Sequence, residues 1–265
     1  MVTKKPTGTE ARSTSAGRRI RKTSDPEGKR ALEEILAHAR RLVFFGGAGV
    51  STASGIPDFR SAEGLYGQEF EGLDAEMILS RSFFYLQPEM FFRFYRTYML
   101  HPGAKPNAAH RRLFELEKED KLKAIVTQNI DGLHKAAGNR RVFELHGTVH
   151  ENRCMDCGAN YPMEKILRSQ GIPRCDQCGG VIKPGIVLYG EAPDKYVCIG
   201  ARREISNADT LIVAGTSLTV EPAASFLESF AGKNLVVINR TPTPADRRAC
   251  LVLRSGVEEA LAESP

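Results

Sequence analysis

No apolar run in the 265 residues approaches the roughly 18 that a membrane-crossing helix needs, which excludes a membrane-spanning protein. An apolar leader segment is also missing near the start, so secretion is not indicated, and the six cysteines are expected to work in a reducing, cytoplasmic setting. Charge of one sign is scarce outside the first residues. Residues 1–30 hold nine basic and three acidic side chains, a net +6 within a chain total of +5, which leaves −1 for everything that follows. Nothing in that balance points to a nucleic-acid-binding surface on the folded body. Large apolar side chains are almost lacking from residues 1–28, so this stretch is expected to be a disordered basic arm. Its cluster Arg18-Arg19-Ile20-Arg21-Lys22 reads as a solvated tail, with a targeting or anion-binding patch as the alternative.

The whole chain is 42% hydrophobic, and the part beyond the arm is patterned for a substantial core. Leu32, Ile35, Leu36 and Ala39 recur at helical spacing, and the run Leu42-Val43-Phe44-Phe45 stops at Gly46-Gly47. Short apolar runs return at 124–126, 211–214, 235–238 and 251–253, with helical patterns between several of them. Continuous apolar strands separated by helices predict a doubly wound, Rossmann-like parallel sheet covered on both faces, an α/β fold. Residues 65–106, with an aromatic stripe, and residues 150–185, with four cysteines, break the alternation. They are expected to form a smaller domain, leaving 29–64, 107–149 and 186–265 for the sheet domain. The aromatic stripe itself reads as helix core.

Polar residues gather where strands end. The turn Gly47-Ala48-Gly49-Val50-Ser51-Thr52 follows a buried strand, where glycines allow close approach of a pyrophosphate. A third glycine and an acidic residue about 20 positions on are lacking, so a plain structural turn stays open. Gly215-Thr216-Ser217 and Asn239-Arg240 also follow predicted strands, at the edge where open α/β sheets bind ligands. Cys154-x2-Cys157 and Cys175-x2-Cys178, 17 residues apart, have the spacing of a closed structural zinc site, with a disulfide or redox pair as the alternative. Gly158 and Gly179 suit the tight turns such knuckles need. Cys198 and Cys250 read as inert thiols, and His38, His101, His110, His134 and His150 as structural or surface residues.

Three further segments, Gly55-Ile56-Pro57-Asp58-Phe59-Arg60, Thr127-Gln128-Asn129-Ile130-Asp131-Gly132-Leu133-His134 and Glu144-Leu145-His146-Gly147, complete a recognisable set. Together with the glycine turn, the strand-end clusters and the cysteine knuckles, they resemble the signature blocks of the sirtuins, NAD-dependent protein lysine deacylases. The resemblance runs in family order over about residues 30–262. It implies NAD as cosubstrate, one structural zinc ion, and acetylated proteins or peptides as partners; no motif encodes an oligomeric state. By the same resemblance, His146 is the catalytic base, with Asn129 and Asp131 in the nicotinamide pocket. Gly47, Ala48, Gly49, Thr52, Asp58, Phe59, Arg60, Gln128, Ile130, Gly215, Thr216, Ser217, Asn239 and Arg240 complete the cosubstrate contacts. Val187, Tyr189, Gly190 and Glu191 match the strand that pairs with an extended substrate, although an ordinary sheet strand would read alike.

The implied reaction moves an acetyl group from lysine to ADP-ribose, releasing nicotinamide and 2′-O-acetyl-ADP-ribose. Mono-ADP-ribosyl transfer and a non-enzymatic NAD-sensing scaffold are the competing readings, and an imidazole at 146 favours deacylation. The Tyr-x-x-Arg pair that accompanies acidic acyl groups in this family is absent: Tyr95 is followed three residues later by Tyr98, and Arg96 faces elsewhere on a helix. A neutral acyl group is therefore expected, because an unpaired carboxylate would be penalised by desolvation.

Overall fold

The structure, a computed structural model, describes residues 20–23, 26–59, 61, 64–67, 69–219 and 224–262. Seven parallel strands make the main sheet: β1 (Ile20–Thr23), β2 (Leu42–Gly46), β3 (Leu122–Thr127), β4 (Val142–Glu144), β5 (Thr210–Ala214), β6 (Asn234–Ile238) and β7 (Leu251–Leu253). Their order is β1-β7-β6-β5-β2-β3-β4. Alternate residues of each apolar run face opposite layers. Phe44, Ile125, Ile212 and Val236 pack with Leu32 and Leu36 of helix Pro26–His38 and Leu113 of helix Ala108–Lys118. Phe45, Val126, Val213 and Val237 pack with Ala201 and Ile205 of helix Lys195–Ser206. With both faces covered, the central positions of these strands are buried whichever layer they face, which is why they read as continuous apolar runs.

The sheet grows in one direction from β2 to β3 and in the other from β2 to β5. The boundary between β2 and β5 is therefore the switch point of the sheet, where open α/β folds bind ligands at the carboxyl ends of their strands.

The expectation of a structureless arm through residue 28 fails in two places. Ile20–Thr23 adds to β7 as an edge strand, and the first helix starts at Pro26. Strand pairing uses main-chain N–H and C=O groups, and the outer side of β7 offers an unpaired row of them to any extended segment. Composition carries no trace of that offer. Residues 1–19 lie outside the described residues.

The smaller domain combines both insertions. Short helices Arg81–Leu86 and Pro88–Phe94 run into a wider π-type turn at Tyr95–Met99. Asn152–Cys154 pairs antiparallel with Asn160–Tyr161 and with Ile182–Lys183. One core joins the two: Phe84, Phe91, Phe92 and Tyr95 pack with Met163, Ile166, Ile186 and Leu188. Arg96 adds a polar strut, its Nε donating to the Ile166 carbonyl at 2.9 Å and its guanidinium also reaching the Gly171 carbonyl. The aromatic stripe is core, as its spacing suggested, except for Tyr85, which is exposed.

Candidate active site

The site is built where the β2 and β5 turns touch. Gly47 N–H donates to the Ala214 carbonyl at 3.1 Å and Gly49 N–H to the Gly215 carbonyl at 2.9 Å. A Cβ on Gly47 would fall 2.8 Å from the Gly215 oxygen, and one on Gly49 2.8 Å from the Gly215 Cα. Gly215 itself has φ +59° and would bring a Cβ to 2.6 Å from the Val50 nitrogen. These glycines are thus required by the packing of one turn on the other, a cause beyond the approach of a phosphate. Next to them, Gln128 ties β3 into the junction: its N–H donates to the Gly46 carbonyl at 2.9 Å and its Nε2 to Thr216 Oγ1 at 2.9 Å.

Ser51 is the hub of the polar network. Its hydroxyl is buried, donates to Asp131 Oδ2 at 2.6 Å and accepts from Asn129 Nδ2 at 3.0 Å. Asp131 Oδ1 accepts the Leu133 N–H at 2.8 Å, and the Asp131 carbonyl is bonded to His150 Nε2 at 2.9 Å. Asn107 braces the same turn from outside, with Nδ2 donating to the Val50 carbonyl at 2.8 Å and Ser54 Oγ at 3.0 Å. Its side-chain oxygen meanwhile caps the helix Ala108–Lys118. Nearby, the rings of His110 and His134 lie 4.7 Å apart. Burial lowers both, His110 to about 4 and His134 well below the usual histidine range, so both stay neutral.

His146 follows β4. Its Nδ1 lies 3.0 Å from the Gln128 carbonyl, and a carbonyl only accepts, so Nδ1 carries the proton and Nε2 keeps its lone pair. Burial lowers its pKa, while the Gln128 bond pulls the other way more weakly. Its own carbonyl accepts the Val187 N–H at 2.9 Å, and Gly147 bridges antiparallel to Ile186. The segment 187–191 is joined to the main chain of His146 in this way. It is not the continuous strand its sequence suggested, however. Tyr189 alone makes a bridge, to Ser80, with its N–H on the Leu79 carbonyl at 3.0 Å and its carbonyl taking the Arg81 N–H at 2.8 Å. Glu191 folds back to accept the Leu188 N–H at 3.0 Å and the Lys183 ammonium at 3.0 Å, so its carboxylate closes its own loop.

The other sequence-designated residues divide. Ala48 sits in the one-turn helix Ala48–Val50, and Thr52 Oγ1 donates to the Gly49 carbonyl at 3.2 Å. Asp58 Oδ1 accepts the Ser61 N–H at 2.8 Å, and Phe59 packs its ring 5.4 Å from that of Tyr66. Ile130 packs against the smaller domain's core. Ser217 shares a hydrogen bond with Thr219, and Asn239 Nδ2 donates to the Thr241 carbonyl at 2.9 Å. Arg240 stands apart, 71% exposed and 3.8 Å from Glu258. Arg60 lies outside the described residues. Ser51, Asn107 and Tyr66 were not designated from sequence. Ser51 lay inside the glycine block, but Asn107 and Tyr66 reach the site only through the fold.

The four knuckle cysteines converge, with sulfurs all within 4.8 Å of one another and the pairs Cys154–Cys178 and Cys157–Cys175 at 3.5 and 3.6 Å. A tetrahedron of thiolates with metal–sulfur bonds of about 2.3 Å has edges of about 3.8 Å, so the cluster fits zinc. Tyr161 OH lies 3.0 Å from Cys175 Sγ and can donate to it when the sulfur is a metal-bound thiolate.

The model of the Sir2 family matches residues 47–222, about two thirds of the chain. A curated NAD-dependent protein deacetylase of Clostridium perfringens is 52% identical over 232 residues, covering 87% of this chain and 95% of that protein. The chain belongs to the Sir2 family. A relative of the same description from Cutibacterium acnes is 51% identical, covering 86% of this chain and 95% of its own. Among solved structures, a Sir2 protein with a p53 peptide and NAD+ superposes on this Sir2-family chain with a TM-score of 0.77 at 39% identity, covering 87% and 94% of the two chains. Another, with a propionylated peptide, gives 0.77 at 38% identity, covering 88% and 94%.

Proposed function

We propose that this Sir2-family chain is an NAD-dependent protein deacetylase in which His146 is the base and Asn129 and Asp131 hold the nicotinamide end of the cosubstrate. The observation that carries the role of His146 is its tautomer: the Gln128 bond keeps Nε2 unprotonated on a residue whose main chain is bonded to the segment proposed to hold the substrate. When bound, NAD supplies an electrophilic ribose carbon and nicotinamide as leaving group. Asn129 and Asp131 enter already oriented by Ser51, so little order has to be created on binding. Phe59, backed by Tyr66, supplies an apolar ring to keep water from the reacting face. Nε2 of His146 takes the ribose hydroxyl proton so that the sugar oxygen can accept the acyl group, with an imidazole already neutral at working pH.

The Val187 carbonyl and the main chain of Gly190 bond an extended acyl-lysine segment, the other main-chain groups of 187–190 being spent within the chain, and Val187 borders the acyl chain. The turn residues 47–52, with Gln128, Gly215, Thr216, Ser217 and Asn239, line the phosphates and riboses. Cys154, Cys157, Cys175 and Cys178 hold one zinc ion, and a closed thiolate shell leaves it a folding role. A cytoplasmic location is supported by the need to keep those thiols reduced.

The test is mass spectrometry of an acetyl-lysine peptide incubated with the protein, with and without NAD. Loss of acetyl matched by nicotinamide and acetyl-ADP-ribose, abolished in His146→Ala, is expected. Nicotinamide release with the acetyl group retained would overturn deacetylation in favour of ADP-ribosyl transfer.

A further inference from the structure

Two loops of this site carry different ligands under the deacetylase reading, on which the following rests, and one contact crosses between them. The cosubstrate loop leaves Asp58-Phe59 and doubles back: Leu65 N–H donates to the Asp58 carbonyl at 2.9 Å and Tyr66 N–H to the Phe59 carbonyl at 2.9 Å. That fold lays the Tyr66 ring 5.4 Å from the Phe59 ring, tilted by 55°. The Tyr66 hydroxyl then hydrogen bonds to the hydroxyl of Tyr189, 123 residues away in sequence. Tyr189 is held at both main-chain groups by Leu79 and Arg81, and two residues before it Val187 is bonded to the carbonyl of His146. Both tyrosine rings are half-buried against the smaller domain's core. The cosubstrate loop, the smaller domain and the peptide segment thus meet at one pair of phenols.

We propose that the Tyr66–Tyr189 hydroxyl pair couples the two segments, so that ordering the peptide segment around Tyr189 favours the bonded placement of Phe59 and Tyr66 and the reverse. The physical argument is one of linkage. If each segment has two placements, a bond that exists only in one placement of both adds to the doubly liganded state, and its full strength is the upper limit of the coupling it can transmit. A neutral hydrogen bond contributes about 0.5–1.5 kcal/mol net, which at 1.36 kcal/mol per tenfold is roughly a two- to twelvefold effect. Ring packing at Phe59 and the core remains when only a hydroxyl is removed. A Tyr→Phe change therefore isolates the bond from the packing. The two residues are positioning residues, acting on NAD and peptide through their loops.

The experiment measures, by calorimetry on the full zinc-loaded chain, the dissociation constant of carba-NAD, a hydrolysis-resistant analogue, with and without a saturating acetyl-lysine peptide. The wild type, Tyr66→Phe, Tyr189→Phe and the double variant are compared at equal zinc content and thermal midpoint. Peptide is expected to tighten carba-NAD in the wild type. That tightening should fall by about two- to tenfold in either single variant and no further in the double variant, because one bond is lost in all three. Wild-type tightening retained in the single variants would overturn the proposal, as would losses that add in the double variant or a wild type that shows no tightening. The deacetylase reading is judged separately, by acetyl loss and nicotinamide release from the wild type with NAD itself. A wild type that deacetylates while its phenol variants keep full coupling sinks this inference alone.

Discussion

Replacing Ser51 with alanine tests the site's polar network at its centre. The hydroxyl is 1% exposed and serves two functional side chains at once, donating to Asp131 at 2.6 Å and accepting from Asn129 at 3.0 Å. The Cβ of alanine keeps the local packing, and the neighbouring turn bonds from Asn107 to Val50 and from Gly49 to Gly215 do not involve the lost oxygen. What disappears is one hydrogen bond to a carboxylate, about 1.5–3 kcal/mol, and one neutral bond, about 0.5–1.5 kcal/mol. Asn129 is 9% exposed, so its amide cannot fully recover the loss from water. If the whole of a loss of about 2–4.5 kcal/mol falls on the oriented site, kcat/KM for NAD drops roughly 30- to 2,000-fold. The assay is steady-state nicotinamide release at saturating acetyl-lysine peptide, paired with a thermal melt. A Ser51→Ala enzyme within threefold of wild type in kcat/KM, with an unchanged melting midpoint, would refute the idea that Ser51 orients these groups.

Three further outcomes are expected. Burial lowers the His146 pKa, so the base remains unprotonated below the ordinary histidine range and the acidic limb of kcat/KM lies under about pH 6.5; a limb at pH 7 or above, measured on acetyl-peptide turnover, would contradict the burial argument. Cys175→Ala removes one of four thiolates and the partner of Tyr161, so stoichiometric zinc is lost and the melting midpoint falls; a metal-free variant with wild-type stability and activity would refute the structural role. Acetyl-lysine turnover should exceed that of the matching succinyl-lysine peptide by at least about tenfold, since the Arg96 guanidinium is committed to the Ile166 and Gly171 carbonyls; competition mass spectrometry with both peptides reads the ratio directly.

The main-sheet strands from β2 on, except β4, were legible because burial on both faces writes itself into composition: Phe44 and Phe45 point to opposite layers and neither can be polar. The zinc knuckles were legible because four sulfurs need a fixed local spacing, and local spacing survives in a linear reading. β1 was not, since main-chain pairing to β7 asks little of its side chains. Nor was the loop character of 187–191: its apolar start reads as a strand, while the structure spends its main-chain groups on His146, Leu79 and Arg81.

The glycines show why a motif can be read correctly and explained incompletely. Seen in sequence, Gly47 and Gly49 invite a pyrophosphate; in the fold their missing side chains are also occupied by Gly215, 166 residues after Gly49. That contact exists because β2 and β5 are neighbours in the sheet though far apart in the chain. The same adjacency delivers Thr216 to Gln128, and the β2–β3 pairing delivers Ser51 to Asn129 and Asp131. Residues whose job is to hold another residue are chosen by three-dimensional neighbours, so they leave no periodicity or spacing of their own. Substituting alanine at Gly215 would therefore damage the site before any ligand arrives, through the clash at Val50 and the strained φ, and not through lost phosphate contact.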